Sequence, residues 1–255
     1  MLIEVSKLSH ENTYPYNTVS FDTLDLNAPV VFLTGENGSG KSTLLRAIAH
    51  HSNSYSVSKN IDYQTHRYDH FSLAWNTRLK RGYYFQSEDF YSFLNWITEE
   101  EVENKRLYDD AVERHGDNRS MGVLIELGIH EGNRKHMNNM VNELKEASHG
   151  EGYIRFFASK LRPNTLYLLD EPETPLSFQN QLTLMTLIND YVKHGSQFII
   201  CTHSPILLAY PDAKIYYFDE TISSVSYDEH PIVKDYLSFM NRPQQYLHYL
   251  FKEED

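Results

Sequence analysis

Cysteine, basic residues and long apolar runs are all scarce in this chain of 255 residues. The single cysteine, Cys201, excludes an internal disulfide and a cysteine-cluster zinc site. No apolar stretch reaches the roughly 18 residues that a membrane span needs. The N-terminal residues also lack the basic and then apolar pattern of a signal peptide. We therefore expect a cytoplasmic protein that is not inserted in a membrane.

Lys and Arg number 23 against 35 Asp and Glu, which gives a formal net charge of −12. Non-specific nucleic-acid binding depends on basic side chains that neutralise phosphates, so the net charge argues against a generally basic binding surface. A local basic face stays open, and with it direct nucleic-acid binding. The 13 histidines show no metal-ligand spacing such as His-Glu-x-x-His.

A glycine-rich loop of nine residues is the strongest motif. It lies between an apolar run at 30–33 and a helical pattern at 44–49. Glycines leave the backbone N–H groups open to a polyphosphate, and the helix N-terminus that follows favours negative charge. The loop consists of Gly35, Glu36, Asn37, Gly38, Ser39, Gly40, Lys41, Ser42 and Thr43.

Three side chains of this loop have predicted roles towards a nucleoside triphosphate. Lys41 is expected to reach the β- and γ-phosphate oxygens, and the Ser42 hydroxyl to bind Mg²⁺. Thr43 is expected on the α-phosphate side. The pattern therefore predicts a chain that binds a nucleoside triphosphate with Mg²⁺.

Apolar periodicity predicts an α/β fold with a mostly parallel central sheet. Short, almost continuously apolar runs are typical of strands covered on both faces by helices. Such runs occur at 30–33, 166–169, 198–201 and 215–218. The alternating segments 2–5 and 19–22 favour an N-terminal antiparallel part instead.

The middle of the chain differs in composition from the rest. It is charged and helix-prone, with Thr98 to Glu101 as a predicted helix start. We interpret residues 87–147 as a helical subdomain inserted into a nucleotide-binding core that consists of residues 1–86 and 148–255.

Two carboxylates follow the apolar run at 166–169. Ligands of a parallel α/β sheet bind beyond the carboxyl ends of its strands, so Asp170 and Glu171 should lie beside Lys41 and Ser42. Asp170 suits a Mg²⁺ ligand, and Glu171 suits the general base that polarises the attacking water. His203 follows the next apolar run and is expected to contact the γ-phosphate or to orient the water.

Together these motifs resemble the ATP-binding-cassette (ABC) ATPase superfamily over nearly the whole chain. The motifs are Gly-x-Asn-Gly-Ser-Gly-Lys-Ser-Thr, Leu-Asp-Glu-Pro and a switch-type His after the following strand. Asp-Glu-Pro-Glu joined to Thr-His-Ser-Pro looks more like the soluble, non-transporter branch than like a transporter subunit. That branch includes chromosome-maintenance, DNA-repair and phage-defence ATPases and small stand-alone bacterial ATPases. The resemblance implies a P-loop NTPase core of ABC type that uses ATP and Mg²⁺.

The resemblance implies four further site residues, each with an ordinary alternative. Gln86 falls where a glutamine contacts Mg²⁺, but it could equally be an edge glutamine. Tyr16 stands where an aromatic ring stacks on adenine, or it packs a strand. Ser148 and Gly150 take the positions of a signature loop that touches an ATP held by another subunit, and a plain helix cap is the alternative.

The signature loop and the dimer loop depart from the family pattern. His149 and Glu151 replace the usual residues beside Ser148 and Gly150, and residues 174–177 lack the usual aspartate. These departures put communication between two shared sites in doubt.

The leading functional hypothesis is an ATPase that forms a head-to-tail homodimer around two ATP molecules. Such a dimer switch would regulate a partner effector, such as a nuclease, in DNA repair or phage defence. The alternative is the ATPase subunit of a membrane ABC transporter. A small-molecule kinase is a third class, opposed by Glu171 and His203 in their observed order.

Overall fold

The computed structural model of the protein describes residues 1–8, 16–18, 21–56, 68–77, 79, 81–116, 120–146 and 149–252. Within these residues the chain forms ten strands in two sheets. The strands are β1 (Leu2–Lys7), β2 (Thr23–Asp25), β3 (Val30–Gly35), β4 (Tyr55–Ser56), β5 (Phe71–Trp75), β6 (Arg81–Gln86), β7 (Thr165–Asp170), β8 (Gln197–Cys201), β9 (Lys214–Phe218) and β10 (Ile222–Ser224).

The larger sheet has seven strands in the order β10-β9-β3-β8-β7-β6-β4. All neighbours in it pair in parallel except β10, which returns antiparallel along β9. β3 lies between β8 and β9, and β7 is the next strand beyond β8. The phosphate loop and the Asp170 carboxylate therefore leave the same edge of the sheet, where parallel α/β sheets bind ligands.

The smaller sheet is antiparallel, with β1 paired on one side with β2 and on the other with β5. The predicted α/β fold with an antiparallel N-terminal part is confirmed. The predicted strand at 19–22 is wrong in its bounds, because β2 begins only at Thr23. Positions 19 and 20 lie outside the described residues.

Among the described residues the helices number eight, with one short 3-10 turn at Tyr16–Thr18. The helices are α1 (Lys41–Ser52), α2 (Ser87–His115), α3 (Met121–Glu146), α4 (His149–Lys160), α5 (Phe178–Lys193), α6 (Pro205–Leu208), α7 (Pro231–Asn241) and α8 (Pro243–Leu250).

The predicted helix start at Thr98 is wrong, because α2 begins at Ser87, directly after β6. A reciprocal cap explains the earlier start. The side chain of Gln86 accepts a hydrogen bond from the Asp89 amide, while Asp89 Oδ2 accepts one from the Gln86 amide at 2.8 Å. This pair satisfies two N-terminal donors and allows the helix to begin without a loop.

Helices α2 and α3 form a long hairpin that interrupts the core between β6 and β7. With 29 residues in α2 and 26 in α3, the arms are about 43 Å and 39 Å long. The two helices pack mainly on each other. No helix in the described part of the chain is both long enough and apolar enough to cross a membrane.

Both faces of the central sheet are covered, which explains the continuous apolar runs of its strands. Alternate residues of a strand point to opposite faces. Val31 and Leu33 belong to the cluster shared with α1 and the small sheet, whereas Val30 and Phe32 belong to the cluster under α4 and α5. The second cluster is rich in aromatic rings, with Tyr167 stacked on Phe198 at 4.9 Å between ring centroids.

Candidate active site

The phosphate loop joins the central strand β3 to α1 and depends on three glycines with positive φ. These are Gly35 (127°), Gly38 (81°) and Gly40 (93°), a region that residues with a side chain rarely adopt. A Cβ on Gly35 would also overlap the carbonyl oxygen of Phe218. The loop can therefore keep its shape only with glycine at these positions.

The N-terminus of α1 fits an anion. Its N-cap is Gly40, which has no side chain to accept hydrogen bonds from the first amides of the helix. Unpaired amides and the positive end of the helix dipole therefore face the loop, an arrangement that binds phosphate. Of the predicted contacts there, Thr43 is buried, Ser42 is half-buried, and Glu36, Asn37 and Gly38 lie exposed on the loop.

The ammonium group of Lys41 lies inside the loop. Lys41 Nζ donates hydrogen bonds to Gly35 O at 2.9 Å, to Glu36 O at 2.5 Å and to Ser39 Oγ at 3.2 Å. Burial lowers the pKa of Lys41, and the nearby Glu171 carboxylate opposes that shift. The ammonium group thus hydrogen-bonds to backbone carbonyl groups of the loop. The oxygens of a bound polyphosphate would replace these carbonyl groups as its partners.

The Asp170 carboxylate brings together the three predicted magnesium residues. Its Oδ1 accepts a hydrogen bond from Ser42 Oγ at 2.9 Å, and its Oδ2 accepts one from Gln86 Nε2 at 3.4 Å. Hydroxyl, carboxylate and amide oxygens are the ligands that Mg²⁺ takes. The Ser42 hydroxyl and the Asp170 carboxylate therefore fit a magnesium ion beside the phosphate loop, in a cleft of about 160 Å³. Gln86 turns its Nε2 towards Asp170 and its side-chain oxygen towards the Asp89 amide. This cleft is lined by Ser42, Arg46, Gln86, Ser87, Asp170 and Glu171.

Tyr84 and Arg46 are site residues that the sequence analysis missed. The Tyr84 hydroxyl donates to Asp170 Oδ2 at 3.2 Å and is itself hydrogen-bonded by the Arg46 guanidinium. Burial raises the pKa of Tyr84 well above its ordinary value, and the negative charge of Asp170 adds to that shift. For Tyr84 the sequence held one signal, because it lies two residues before Gln86 and residues two apart in a strand share a face. In the structure Gln86 pairs directly with Asp170.

Glu171 has a strained backbone. Its φ is 50°, a left-handed conformation that is unusual for a residue with a side chain, and its amide donates to Cys201 O at 2.9 Å. Such outliers persist where the surrounding structure holds them, commonly at functional sites. The hydrogen bond to Cys201 joins the loop after β7 to the end of β8.

His203 lies across from Glu171, with His203 Nε2 at 3.9 Å from Glu171 Oε1. Burial lowers the pKa of His203, and the positive charge of Lys41 lowers it further. The imidazole is therefore neutral near pH 7, with one ring nitrogen as an acceptor.

Glu173 is a third residue that the sequence analysis did not single out. Its carboxylate lies behind the site and accepts a hydrogen bond from the His203 amide at 2.7 Å through Oε1. Burial raises the pKa of Glu173. Its signal in the sequence was the second glutamate of Asp-Glu-Pro-Glu.

The signature positions are only partly visible. Ser148 lies outside the described residues, and Gly150 is buried in the first turn of α4. A Cβ on Gly150 would meet the side chain of Asn180 and lie 3.0 Å from Pro175 O. The small residue at 150 thus fits close packing within its own chain. The backbone of Tyr16 lies in the 3-10 turn, and its side chain is outside the described part of the structure.

A glycine loop between a central parallel strand and a helix, facing a strand-end carboxylate, defines a P-loop nucleotide hydrolase. The family model described as "ABC transporter" matches residues 21–174, which is more than half of the chain. The chain belongs to this family of ABC ATPase domains. It is accordingly an ATPase that binds ATP with Mg²⁺.

A curated relative is the energy-coupling factor transporter ATP-binding protein EcfA of Methanosphaera stadtmanae. It is 29% identical over 196 residues, which cover 74% of this chain and 66% of the relative. The match thus spans slightly less than two thirds of that relative's length.

Solved structures of two kinds resemble the chain. One is a nucleotide-free ATP-binding cassette from an ABC transporter, with 16% identity, a TM-score of 0.47, and coverage of 93% of this chain and 96% of that one. Another is the SMC head domain from Thermotoga maritima, with 14% identity, a TM-score of 0.45, and coverage of 88% and 98%. Likenesses at this level do not distinguish one function from another.

Proposed function

We propose that this chain is an ATP-driven switch subunit, in which the state of the nucleotide site reaches the α2–α3 hairpin through Gln86. The observation that supports this most directly is the double role of the Gln86 side chain. Its Nε2 contacts the Asp170 carboxylate at 3.4 Å, while the same side chain caps α2. A change in the ligands around Asp170 therefore acts on the first turn of a helix about 43 Å long.

Within the site we assign each residue one task. Lys41 and the loop amides would hold and neutralise the phosphates, and Ser42 and Asp170 would hold Mg²⁺, with Gln86 hydrogen-bonded to Asp170 beside them. The ion supplies charge stabilisation at the transferring phosphoryl group. Catalysis then consists mainly of positioning and electrostatics.

Glu171 takes a proton from the attacking water as the general base. Its carboxylate is half exposed towards the cleft, and the neutral imidazole of His203 stands 3.9 Å away. A neutral ring can accept a hydrogen bond from the water or donate one to the γ-phosphate. Thr43 and the remaining loop residues contribute backbone amides.

We further propose that two copies share each ATP. Among the described residues that line the cleft, none comes from α4. The signature residues Ser148 and Gly150 would then serve the site of a second copy. Residues 87–147 act as the moving subdomain of this dimer, against a core of residues 1–86 and 148–255.

A membrane permease is the partner that the comparisons support better. The family description names an ABC transporter, and the EcfA relative is a transporter ATP-binding protein. In this role the chain is the ATP-binding subunit, attached to the membrane through its partner, and hydrolysis resets the permease.

A soluble effector in DNA repair or phage defence is the second candidate. It is favoured by Asp-Glu-Pro-Glu and Thr-His-Ser-Pro at residues 170–173 and 202–205. The α2–α3 hairpin, with helices of 29 and 26 residues, would also transmit a movement over a long distance to such an effector. In this role the ATPase dimer would open or close a nuclease or a similar enzyme.

One experiment separates the two candidates. Tagged Glu171→Gln is expressed from its native locus, and the cells are fractionated with ATP and Mg²⁺ before purification in mild detergent. Recovery in washed membranes with a multispanning protein, whose transport stops in Lys41→Ala, supports the permease. Recovery in the supernatant with an enzyme whose activity responds to Lys41→Ala supports the effector. A chain that purifies alone in both fractions contradicts the switch-subunit proposal.

A further inference from the structure

Two loops that bear the reacting side chains are joined by a carboxylate that has no assigned role. Glu173 follows Glu171 by two residues in the loop after β7. Its Oε1 accepts the hydrogen bond from the His203 amide at 2.7 Å. Glu173 therefore holds the backbone of the loop that presents His203.

The environment of this carboxylate is unusual for a residue that only packs. Glu173 Oε2 is buried and has no hydrogen-bond partner within the described residues. A buried, unsatisfied carboxylate oxygen costs free energy, and such a group requires an explanation. Burial also raises the pKa of Glu173.

The imidazole of His203 is held in a matching way. Its Nε2 is buried and lacks a hydrogen-bond partner in the described structure, although Glu171 Oε1 is only 3.9 Å away. The ring is therefore placed by its backbone. The His203 amide donates to Glu173 Oε1, and the next amide, that of Ser204, donates to the Thr202 hydroxyl. The distance between His203 and Glu171 thus depends on the reach of Glu173.

We propose that Glu173 is a positioning residue that sets the place of the His203 imidazole opposite Glu171, through the hydrogen bond to the His203 amide. This inference rests on the proposed roles of His203 and Glu171 in hydrolysis. The acceptor atom and its reach matter, whereas the negative charge does not.

Two substitutions separate reach from charge. Glu173→Gln keeps an acceptor oxygen at the same reach without the charge, and Glu173→Asp keeps the charge but withdraws the acceptor by one methylene. We expect Glu173→Gln to retain kcat within about twofold. Glu173→Asp should lower kcat about tenfold, with KM for ATP unchanged, because the phosphate loop is untouched. Glu220→Ala, at an exposed turn, is the control.

A double-mutant cycle links the effect to His203. If Glu173 acts through that ring, Glu173→Asp lowers kcat in the parent but has no further effect in His203→Ala. Additive losses, or a Gln variant that is impaired as strongly as the Asp variant, would contradict the proposal.

A readout without nucleotide keeps the test independent of hydrolysis. The imidazole ¹H–¹³C signal of His203 is assigned by its loss in His203→Ala. We expect the signal to move in Glu173→Asp and to stay in place in Glu173→Gln, while the thermal unfolding midpoints remain similar. An unmoved signal in Glu173→Asp overturns the positioning role. If His203→Ala hydrolyses ATP normally, the proposed role of His203 is wrong, but the signal still decides whether Glu173 places the ring.

Discussion

Gln86 and Asp170 are register partners across the parallel strands β6 and β7, and each is the last residue of its strand. This pairing brings the side-chain Nε2 of Gln86 to 3.4 Å from Asp170 Oδ2. Because α2 begins at the next residue, the sheet register sets the distance between the magnesium residues and the hairpin.

Replacing Gln86 should therefore affect both the stability of the fold and the Mg²⁺ requirement, whereas replacing Asp89 should affect only the stability. Gln86→Ala removes a cap and a contact with Asp170, and Asp89→Ala removes only the reciprocal part of the cap. Both should lower the free energy of unfolding by about 0.5–2 kcal/mol, measured by urea denaturation. Only Gln86→Ala should raise the Mg²⁺ concentration needed for half-maximal ATP hydrolysis. Equal Mg²⁺ requirements in the two variants would remove Gln86 from the magnesium site.

Glu171→Gln should retain ATP binding while kcat falls by a factor of about 10² or more. The general base is lost and the phosphate loop stays intact, and base assistance is typically of that size. Lys41→Ala is the contrasting variant, because it should weaken ATP binding itself. Titration with a fluorescent ATP analogue and a phosphate-release assay measure the two effects. Unchanged hydrolysis in Glu171→Gln at saturating Mg²⁺ would exclude Glu171 as the base.

Tyr84→Phe should destabilise the fold and disturb the Asp170 carboxylate. The substitution removes the donor to Asp170 Oδ2 and the acceptor for the Arg46 guanidinium in a fully buried position. We expect a loss of about 1–3 kcal/mol in the free energy of unfolding, because buried partners remain unsatisfied. Tyr83→Phe, whose ring lies on the opposite face of β6, is the matched control. A similar small loss in both variants would show that the Tyr84 hydroxyl contributes little.

Stability should fall as the solution is acidified below about pH 6.5, partly because of His230. This residue is fully buried, its Nε2 lies 2.7 Å from Thr34 Oγ1, and its Nδ1 accepts the Ile232 amide. Burial lowers the pKa of His230, so the unfolded chain binds a proton at a pH where the folded chain does not. Stability is then complete above the unfolded pKa of about 6.5 and is lost below it.

The variant His230→Asn tests this assignment, because asparagine keeps an N-cap acceptor but does not titrate. Urea denaturation between pH 5 and 8 should show a shallower dependence in His230→Asn than in the parent. Parallel pH profiles would assign the acid sensitivity to other groups, such as His203, whose pKa is also lowered by burial.

Mg²⁺ and ATP should convert the chain into a dimer, most clearly in Glu171→Gln, where ATP persists. A ligand shared between two copies favours the state that binds it. Ser148→Arg should prevent dimer formation while ATP binding at Lys41 is retained. Multi-angle light scattering measures the mass. One mass with and without ATP, in a variant that demonstrably holds ATP, would leave a monomeric ATPase or a permanent oligomer.

Local patterns were sufficient for the elements whose signals lie close together in the chain. The residues 35–43 predicted a phosphate loop because their glycines leave the backbone amides open to a polyphosphate. The structure then gives Gly35, Gly38 and Gly40 positive φ angles. The apolar runs predicted buried parallel strands, and the family model supports the ABC type of the fold. The carboxylates after β7 were predicted near Lys41 because parallel strands end at one edge of the sheet.

Other features depended on contacts between distant segments, which no local pattern specifies. The start of α2 was placed eleven residues too late, because its cap uses Gln86 at the end of a strand, before any helical periodicity begins. The sequence analysis did not single out Tyr84 and Arg46, because only the packing of β6 and α1 brings them to Asp170. Glu173 and His203 are brought together by two loops on neighbouring strands. The sequence thus determined the chemistry of the loop, and tertiary packing decided which side chains hold the reacting groups in place.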